Sequence, residues 1–315
     1  MFYGMPYMGS KNLIAKEIIE TLPEAECFVD LFGGGGALSH CAYCSKKYKK
    51  IIYNEIDTNI CNIFKNACLG KYKTFKWLSK EEYDRKLDVN DIDMEILIFS
   101  FGYNIQKGYF AQKKKEMLWK ACYEYIYNNE LDGLKNNELI RKYNYKINIE
   151  DFLKLNSYNE KLKKLKYFFV NEFKNNKQYI INENDFNILS NLYLECFNRF
   201  ERIKALSEIK NIQFYNKSYE EIEIPENSVV ICDIPYRGRA EYSVNKFDYE
   251  KFYNWCLNNK NMIFINEYSM PDDFYLVKSF KKTQILSATS NSKYTYKEKL
   301  YCNRKYEPFG INDLF

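Results

Sequence analysis

The sequence predicts an α/β chain in which an open, mostly parallel sheet gathers its ligands at the carboxyl ends of its strands. Three observations predict it. Val229-Val230-Ile231-Cys232 is an unbroken apolar run that stops at Asp233-Ile234-Pro235-Tyr236, as a strand buried on both faces does. Cys27-Phe28-Val29-Asp30-Leu31-Phe32 meets Gly33-Gly34-Gly35-Gly36, and Ala37 to Tyr43 then resumes at helical spacing, so a glycine turn joins a strand to a helix. From residue 71 to 200 the alternation of strand and helix gives way to sequence rich in Lys, Asn and Tyr, too long for a loop inside a compact domain. Residues 1–70 and 201–315 are therefore expected to form one α/β domain, and residues 71–200 an inserted helical subdomain.

In chain order, Ser10 caps a helix with Leu13, Ile14, Ile18 and Leu22 on one face, and Pro23 follows its end. The strand Phe28 to Leu31 and the glycine turn lead to a helix reaching Tyr48. Lys50 to Asn54 is a second strand, ending in Glu55-Ile56-Asp57. An acid in that place holds ribose hydroxyls in doubly wound sheets. Glu55 and Asp57 both qualify, and Asp57 equally fits the cap of a helix carrying Ile60, Ile63 and Phe64. Inside the insertion, Met117–Tyr127 and Asp185–Ile209 are helical. Ser100-Phe101-Gly102-Tyr103-Asn104-Ile105-Gln106-Lys107-Gly108-Tyr109 mixes amides, a cation and rings, as a nucleic-acid contact or an ordinary turn would. Beyond it come a strand at Ile212–Tyr215, a helix at Phe247–Leu257 and a strand at Met262–Ile265. Stretches near Tyr275–Val277 and Lys299–Cys302 complete a sheet of about seven strands.

Composition narrows the function. Hydrophobic residues are 46% and aromatics 18%, which suits a folded chain and argues against disorder. No apolar run is long enough to span a bilayer and the N-terminus lacks a signal segment, so a cytoplasmic location is expected. The ten cysteines are scattered. Cys41 and Cys44 form one C-x-x-C with no second pair, and they are read as core thiols of a reducing compartment, with no metal. His40 is the sole histidine and reads as a packed helix residue rather than a catalyst, which leaves triads of Ser, His and Asp and histidine-based metal sites close to excluded. The net charge of +5 suits a nucleic-acid partner without requiring one.

The pairing of Phe32-Gly33-Gly34-Gly35-Gly36 with Asp233-Ile234-Pro235-Tyr236 resembles the F-x-G-x-G and D-P-P-Y motifs of amino-methyltransferases that act on DNA. Pro6-Tyr7-Met8-Gly9-Ser10-Lys11 is similar to the Y-x-G-x-K start of the Dam-type, or D12-class, adenine methyltransferases, of which this would be a phage-like variant. Ile234 departs from the pattern, standing where the family usually has its first Pro. The resemblance implies a Rossmann-like S-adenosylmethionine-dependent methyltransferase sheet, with the insertion as target-recognition subdomain. It implies that Tyr7, Lys11, Asp30, Phe32, Gly33, Gly34, Gly35, Gly36, Glu55 or Asp57, Ser218, Tyr219 and Asp233 surround S-adenosylmethionine. Ser218-Tyr219 keeps the aromatic of the family's Asp-Phe or Asp-Tyr pair and loses its acid. Tyr103, Asn104, Lys107, Lys113, Lys114, Arg237 and Arg239 are the candidate DNA contacts. Double-stranded DNA is the expected partner, of a monomer, and a restriction endonuclease is a further partner the resemblance allows.

The chemistry of the tetrapeptide agrees. The lone pair of adenine's exocyclic amine is delocalised into the ring, and hydrogen bonds to two acceptors localise and aim it. Asp233 offers a carboxylate and Ile234 a main-chain carbonyl, which any residue has. Pro235 biases Ile234 toward extended backbone. Tyr236 offers a stacking face worth roughly 1–3 kcal/mol to a base turned out of the duplex. The competing readings are an inactive methyltransferase-like protein that occupies DNA, motivated by Ile234 and Ser218, and an amino-methyltransferase acting on RNA or a protein amide. A dinucleotide-dependent dehydrogenase would show the spaced glycines of G-x-G-x-x-G, and this chain does not.

Overall fold

The computed structural model describes residues 2–100, 104–109, 113–143, 147–176, 195–237, 247–285 and 293–306. The chain divides into two compact units, Met1–Lys73 with Arg202–Phe315, and Thr74–Glu201.

The first unit is built on a seven-stranded sheet of order β3-β2-β1-β4-β5-β7-β6. Its strands are β1 (Cys27–Asp30), β2 (Lys50–Asn54), β3 (Ile212–Tyr215), β4 (Ser228–Cys232), β5 (Met262–Glu267), β6 (Tyr275–Ile285) and β7 (Lys293–Cys302). The first five run parallel. β7 is antiparallel to both β5 and β6, wedged between them. Because β2 and β4 flank β1 and the chain winds outward from it on both sides, the switch point of the topology lies between β1 and β4. Such sheets bind ligands in the crevice at that point, beyond the carboxyl ends of the strands.

Alternation along each strand feeds two cores. Phe28, Ile51, Val229, Ile231, Phe264 and Leu300 pack on one face with Ile14, Ile18, Leu38 and Cys41. These last come from helices α1 (Ala15–Thr21) and α2 (Ala37–Ser45) and the turn before α1. Val29, Ile52, Val230, Cys232, Ile263 and Ile265 pack on the other with Phe252 and Cys256. Burial on both faces is why these strands read as continuous apolar runs.

Element ends differ from the sequence expectation where local geometry intervenes. Ser10 caps a single 3-10 turn, Lys11–Leu13, and the α-helix starts only at Ala15. That offset turns Leu13 out, 70% exposed, while Ile14, Ile18 and Leu22 stay buried. The helix expected to reach Tyr48 stops at Ser45, where Lys46 takes a left-handed conformation. β6 and β7 are longer than the apolar stretches that marked them, because a hairpin satisfies its backbone regardless of side-chain polarity.

The second unit is helical. It holds α4 (Lys80–Asp88), α5 (Met94–Phe99), α6 (Lys113–Asn128), α7 (Asp132–Lys135), α8 (Glu138–Lys142), α9 (Ile149–Leu153), α10 (Tyr158–Asn176) and most of α11 (Glu195–Ala205). The expected helix Asp185–Ile209 lies outside the described residues over 185–194. Phe75, Phe99, Tyr123, Phe197 and Phe200 form its aromatic core. Helix α3 (Thr58–Cys68) and α12 (Tyr249–Asn258) belong to the sheet unit.

Candidate active site

The carboxyl ends of β1 and β2 and the glycine turn are knitted into one piece. Asn54, buried at the end of β2, donates to the carbonyls of Leu31 and Lys217 at 3.0 Å each, and its oxygen accepts from the Lys217 amide at 3.1 Å. Gly33 N–H donates to the Asn54 carbonyl at 2.8 Å, and the Tyr53 hydroxyl to the Gly34 carbonyl at 2.7 Å. Glu55 closes the turn: its Oε2 accepts from Gly34 N–H at 2.7 Å and its Oε1 from Asp57 N–H at 2.9 Å. Burial pushes the Glu55 carboxyl above its ordinary range. Asp57 caps α3, accepting from the amides of Asn59 and Ile60.

Two of the glycines answer to packing. Gly36 has φ 69° at the start of α2, and a Cβ there would lie 2.1 Å from a carbon of the Phe64 ring; one on Gly33 would lie 2.1 Å from the Tyr53 ring. Tyr7 lies against Gly34 and Gly35. At the foot of the turn, Asp30 is 1% exposed. Its Oδ2 accepts from the Ser39 hydroxyl at 2.7 Å, and its Oδ1 has no hydrogen-bond partner. Burial pushes this carboxyl up to about 7, against the pull of Ser39.

Across the switch point, Asp233 follows the last residue of β4. Its Oδ1 sits 2.7 Å from Lys11 Nζ, which also lies 4.8 Å from the centre of the Tyr236 ring. Tyr236 meets Tyr268 edge to face at 4.7 Å, and its buried hydroxyl has no partner. Burial drives that phenol strongly upward, so it stays protonated. Ile234 is 2% exposed, its side chain in the core with Cys232, Phe252 and Ile265. The Pro235 carbonyl accepts from the Tyr249 hydroxyl at 2.9 Å.

A family model for D12 class N6 adenine-specific DNA methyltransferases matches residues 7–255. The chain belongs to that family. It is thus an enzyme that methylates adenine in DNA at N6, of a kind that generally uses S-adenosylmethionine. A search of curated proteins returned no match.

In this methyltransferase the sheet unit brings together Tyr7, Lys11, Asp30, the four glycines, Glu55 and Asp233 through Tyr236. Phe32 and Tyr219 join them as ring neighbours at 5.7 Å, with Phe247 against both. Ser218 caps a 3-10 turn, its amide donating to Glu221 at 3.0 Å. Arg237 is exposed with its guanidinium over the Tyr249 ring. Asn104 and Lys107 stand in the helical unit, in a segment closed at its base by a bridge between Ser100 and Tyr109. Arg199 fixes that base by donating to the carbonyls of Ile98 and Ser100 at 2.7 and 2.6 Å. Lys113 and Lys114 begin α6, but their side chains, with Tyr103 and Arg239, lie outside the described residues.

The sequence reading did not single out Tyr53, Asn54, Arg202, Glu267 or Glu298, which the structure places around the glycine turn, Arg237 and Lys11. Glu267 ends β5 and accepts from the Arg237 amide at 3.3 Å. Asn54 and Glu267 share one signal that was available: each is a polar residue closing an apolar strand run on the edge that already held Asp30 and Asp233. Among the described residues one trio carries metal-donor atoms within reach, His40, Cys44 and Glu208. Its geometry is that of a hydrogen-bonded pair. His40 Nδ1 accepts from Gly4 N–H at 3.1 Å, so a neutral ring keeps its proton on Nε2, facing Glu208 at 3.0 Å. That proton occupies the lone pair a cation would need. Among the described residues no helix is long and apolar enough to cross a membrane.

Proposed function

We propose that the crevice at the switch point holds S-adenosylmethionine on one side and a flipped-out adenine on the other, with Asp233 as the carboxylate acceptor for the adenine amine. The observation that carries this reading is the pairing of two carboxylates across the switch point. Asp30 keeps an unpartnered oxygen, and Asp233 is oriented by Lys11. The residues present fit the cofactor. A buried carboxylate with a free oxygen suits the ammonium of a methionine moiety. Glu55, at the end of β2, suits the ribose hydroxyls. The rings of Phe32 and Tyr219 suit an adenine face.

When bound, S-adenosylmethionine supplies a methyl group made electrophilic by its sulfonium. The protein's part is positional. Asp233 and the Ile234 carbonyl each accept a hydrogen bond from the amine and so aim the N6 lone pair at the methyl carbon. With the cofactor bound, N6 would gain the methyl while the electrons of the broken bond left with the cofactor's sulfur, and N6 would lose a proton to water. Tyr236 stacks on the base. The buried side chain of Ile234 fixes its carbonyl from the core side, where the usual Pro would fix it through φ. Residues 71–200 serve as the target-recognition subdomain, with Asn104 and Lys107 in its reading segment, and Arg237 and Arg239 meet phosphates.

The test is transfer of labelled methyl from S-adenosylmethionine to unmethylated bacterial DNA, with sequencing that reports modified adenines. Wild type should mark adenine in one short motif. Asp233→Ala should lose on the order of a hundredfold or more in rate while melting as a folded protein. Retained activity in Asp233→Ala would remove the mechanism.

A further inference from the structure

We propose that Glu298, on β7, is a positioning residue for methyl transfer, acting through Lys11 on Asp233. This rests on the reading of Asp233 as acceptor for the adenine amine. Glu298 lies beyond residues 7–255, where the family match ends. Lys11 Nζ lies 2.7 Å from Asp233 Oδ1 and 4.0 Å from Glu298 Oε2, and the Lys11 and Glu298 side chains are each 4% exposed. The Gly9 carbonyl is 3.4 Å from the same nitrogen. One ammonium therefore serves two carboxylates in a place that water barely enters.

The placement of Glu298 follows from strand alternation. It shares its face of β7 with Leu300 and Cys302, which pack in the core on the side of α1 and α2, and it stands opposite Phe280 in register. Lys297, one residue earlier, is exposed. An acid is thus buried at a position whose neighbours on the same face are apolar. Buried ion pairs of this kind are weak contributors to stability, and well-packed apolar replacements often match or exceed them. A charge kept here calls for another explanation.

Electrostatics supplies one. Burial by itself would push Lys11 toward neutrality, but Asp233 and Glu298 together outweigh it and hold the ammonium charged. With Asp233 alone the pair would be neutral, and the ammonium would draw electron density from the carboxylate that must accept the adenine amine. Glu298 takes a share of that ammonium and leaves the trio with one net negative charge. During transfer N6 becomes cationic, so a net negative site favours the transition state over the ground state. Tyr236, Tyr268 and Glu267 also lie within electrostatic reach of the trio. The side chain of Glu298 need not touch DNA or cofactor to have this effect.

The discriminating experiment is steady-state methylation by the full chain carrying Glu298→Gln, which removes charge and preserves shape. The expected result is a fall in kcat on the order of tenfold, about 1.4 kcal/mol, with KM for DNA and for S-adenosylmethionine unchanged, and partial recovery in Glu298→Asp. Unchanged kcat, or a rise in KM alone, overturns the proposal. Should Glu298→Gln fold poorly, Lys11→Met and Lys11→Met/Glu298→Met, which replace the buried charges by apolar side chains, give the answer instead. If Glu298 acts through Lys11, the second change costs no further kcat, and an additive loss overturns the proposal. Asp233→Ala in parallel separates the two levels. If it stays active, the reading of the site fails. If it is inactive while Glu298→Gln matches wild type, this inference alone fails.

Discussion

Asp30 has two oxygens with different fates: one is bound to Ser39, and the other is buried and unpartnered. A carboxyl that titrates near 7 in the folded chain, against 3.8 for an ordinary Asp, binds its proton more tightly folded than unfolded. Its contribution to stability is therefore present in acid and lost as pH rises through about 7. Asp233 and Glu55 add to that upward shift, and a cationic ligand beside Asp30 would oppose it. Asp30→Asn imitates the protonated side chain. Its melting temperature, followed by thermal unfolding, should match wild type only near about pH 3 and exceed it increasingly as pH rises from about 4 to about 8. The same variant should bind S-adenosylmethionine tenfold to about a hundredfold more weakly by calorimetry, the worth of a charged hydrogen bond. Equal affinity would place the ligand's ammonium elsewhere.

At the scale of elements, the segment before α1 is strapped across the glycine turn. Met5 N–H donates to the Gly35 carbonyl at 2.6 Å. Arg202, at the end of α11, donates to the carbonyls of Tyr3, Gly4 and Met5 at 2.8, 2.9 and 3.1 Å. Arg202→Met leaves those carbonyls short of a donor, which should cost about 2–4 kcal/mol in denaturant unfolding. It should also raise KM for S-adenosylmethionine more than it lowers kcat, since the strap lies on the side proposed for the cofactor and not on Asp233. This strap also marks where sequence reading ran out. β1, β2 and β4 and the cap at Asp57 were legible because apolar runs and capping residues act within a few positions of themselves. Arg202 is 198 residues from Gly4, and a lysine- and arginine-rich helix gives no sign of which cation turns inward. Glu298 was hidden likewise: between Lys297 and Lys299 it reads as a solvated strand, and only the order β5-β7-β6 buries it. Ile234 was legible as a departure but not as a core residue, because its burial depends on α12 packing over β4 and β5.

Over the whole molecule, the proposed reading puts chemistry and recognition in different units, since every residue proposed to meet cofactor or adenine belongs to Met1–Lys73 or Arg202–Phe315, while Asn104 and Lys107 belong to Thr74–Glu201. On that reading both units contact the same duplex, and with a net charge of only +5 the contacts are expected from particular cations. Lys107 and Arg237 are exposed, one in each unit. A cation that neutralises one phosphate contributes about 0.9 to the slope of log affinity against log salt. Lys107→Ala and Arg237→Ala should each flatten that slope by about this amount, weaken binding alike on specific and nonspecific duplexes, and add in the double variant. Titration of labelled DNA across a salt series measures it. The two residues need not behave alike. Arg237 lies over the Tyr249 ring, and the Tyr249 hydroxyl in turn holds the Pro235 carbonyl. A variant at Arg237 that leaves the slope unchanged and lowers kcat would mean that this guanidinium braces the catalytic turn, leaving phosphate contact to the helical unit.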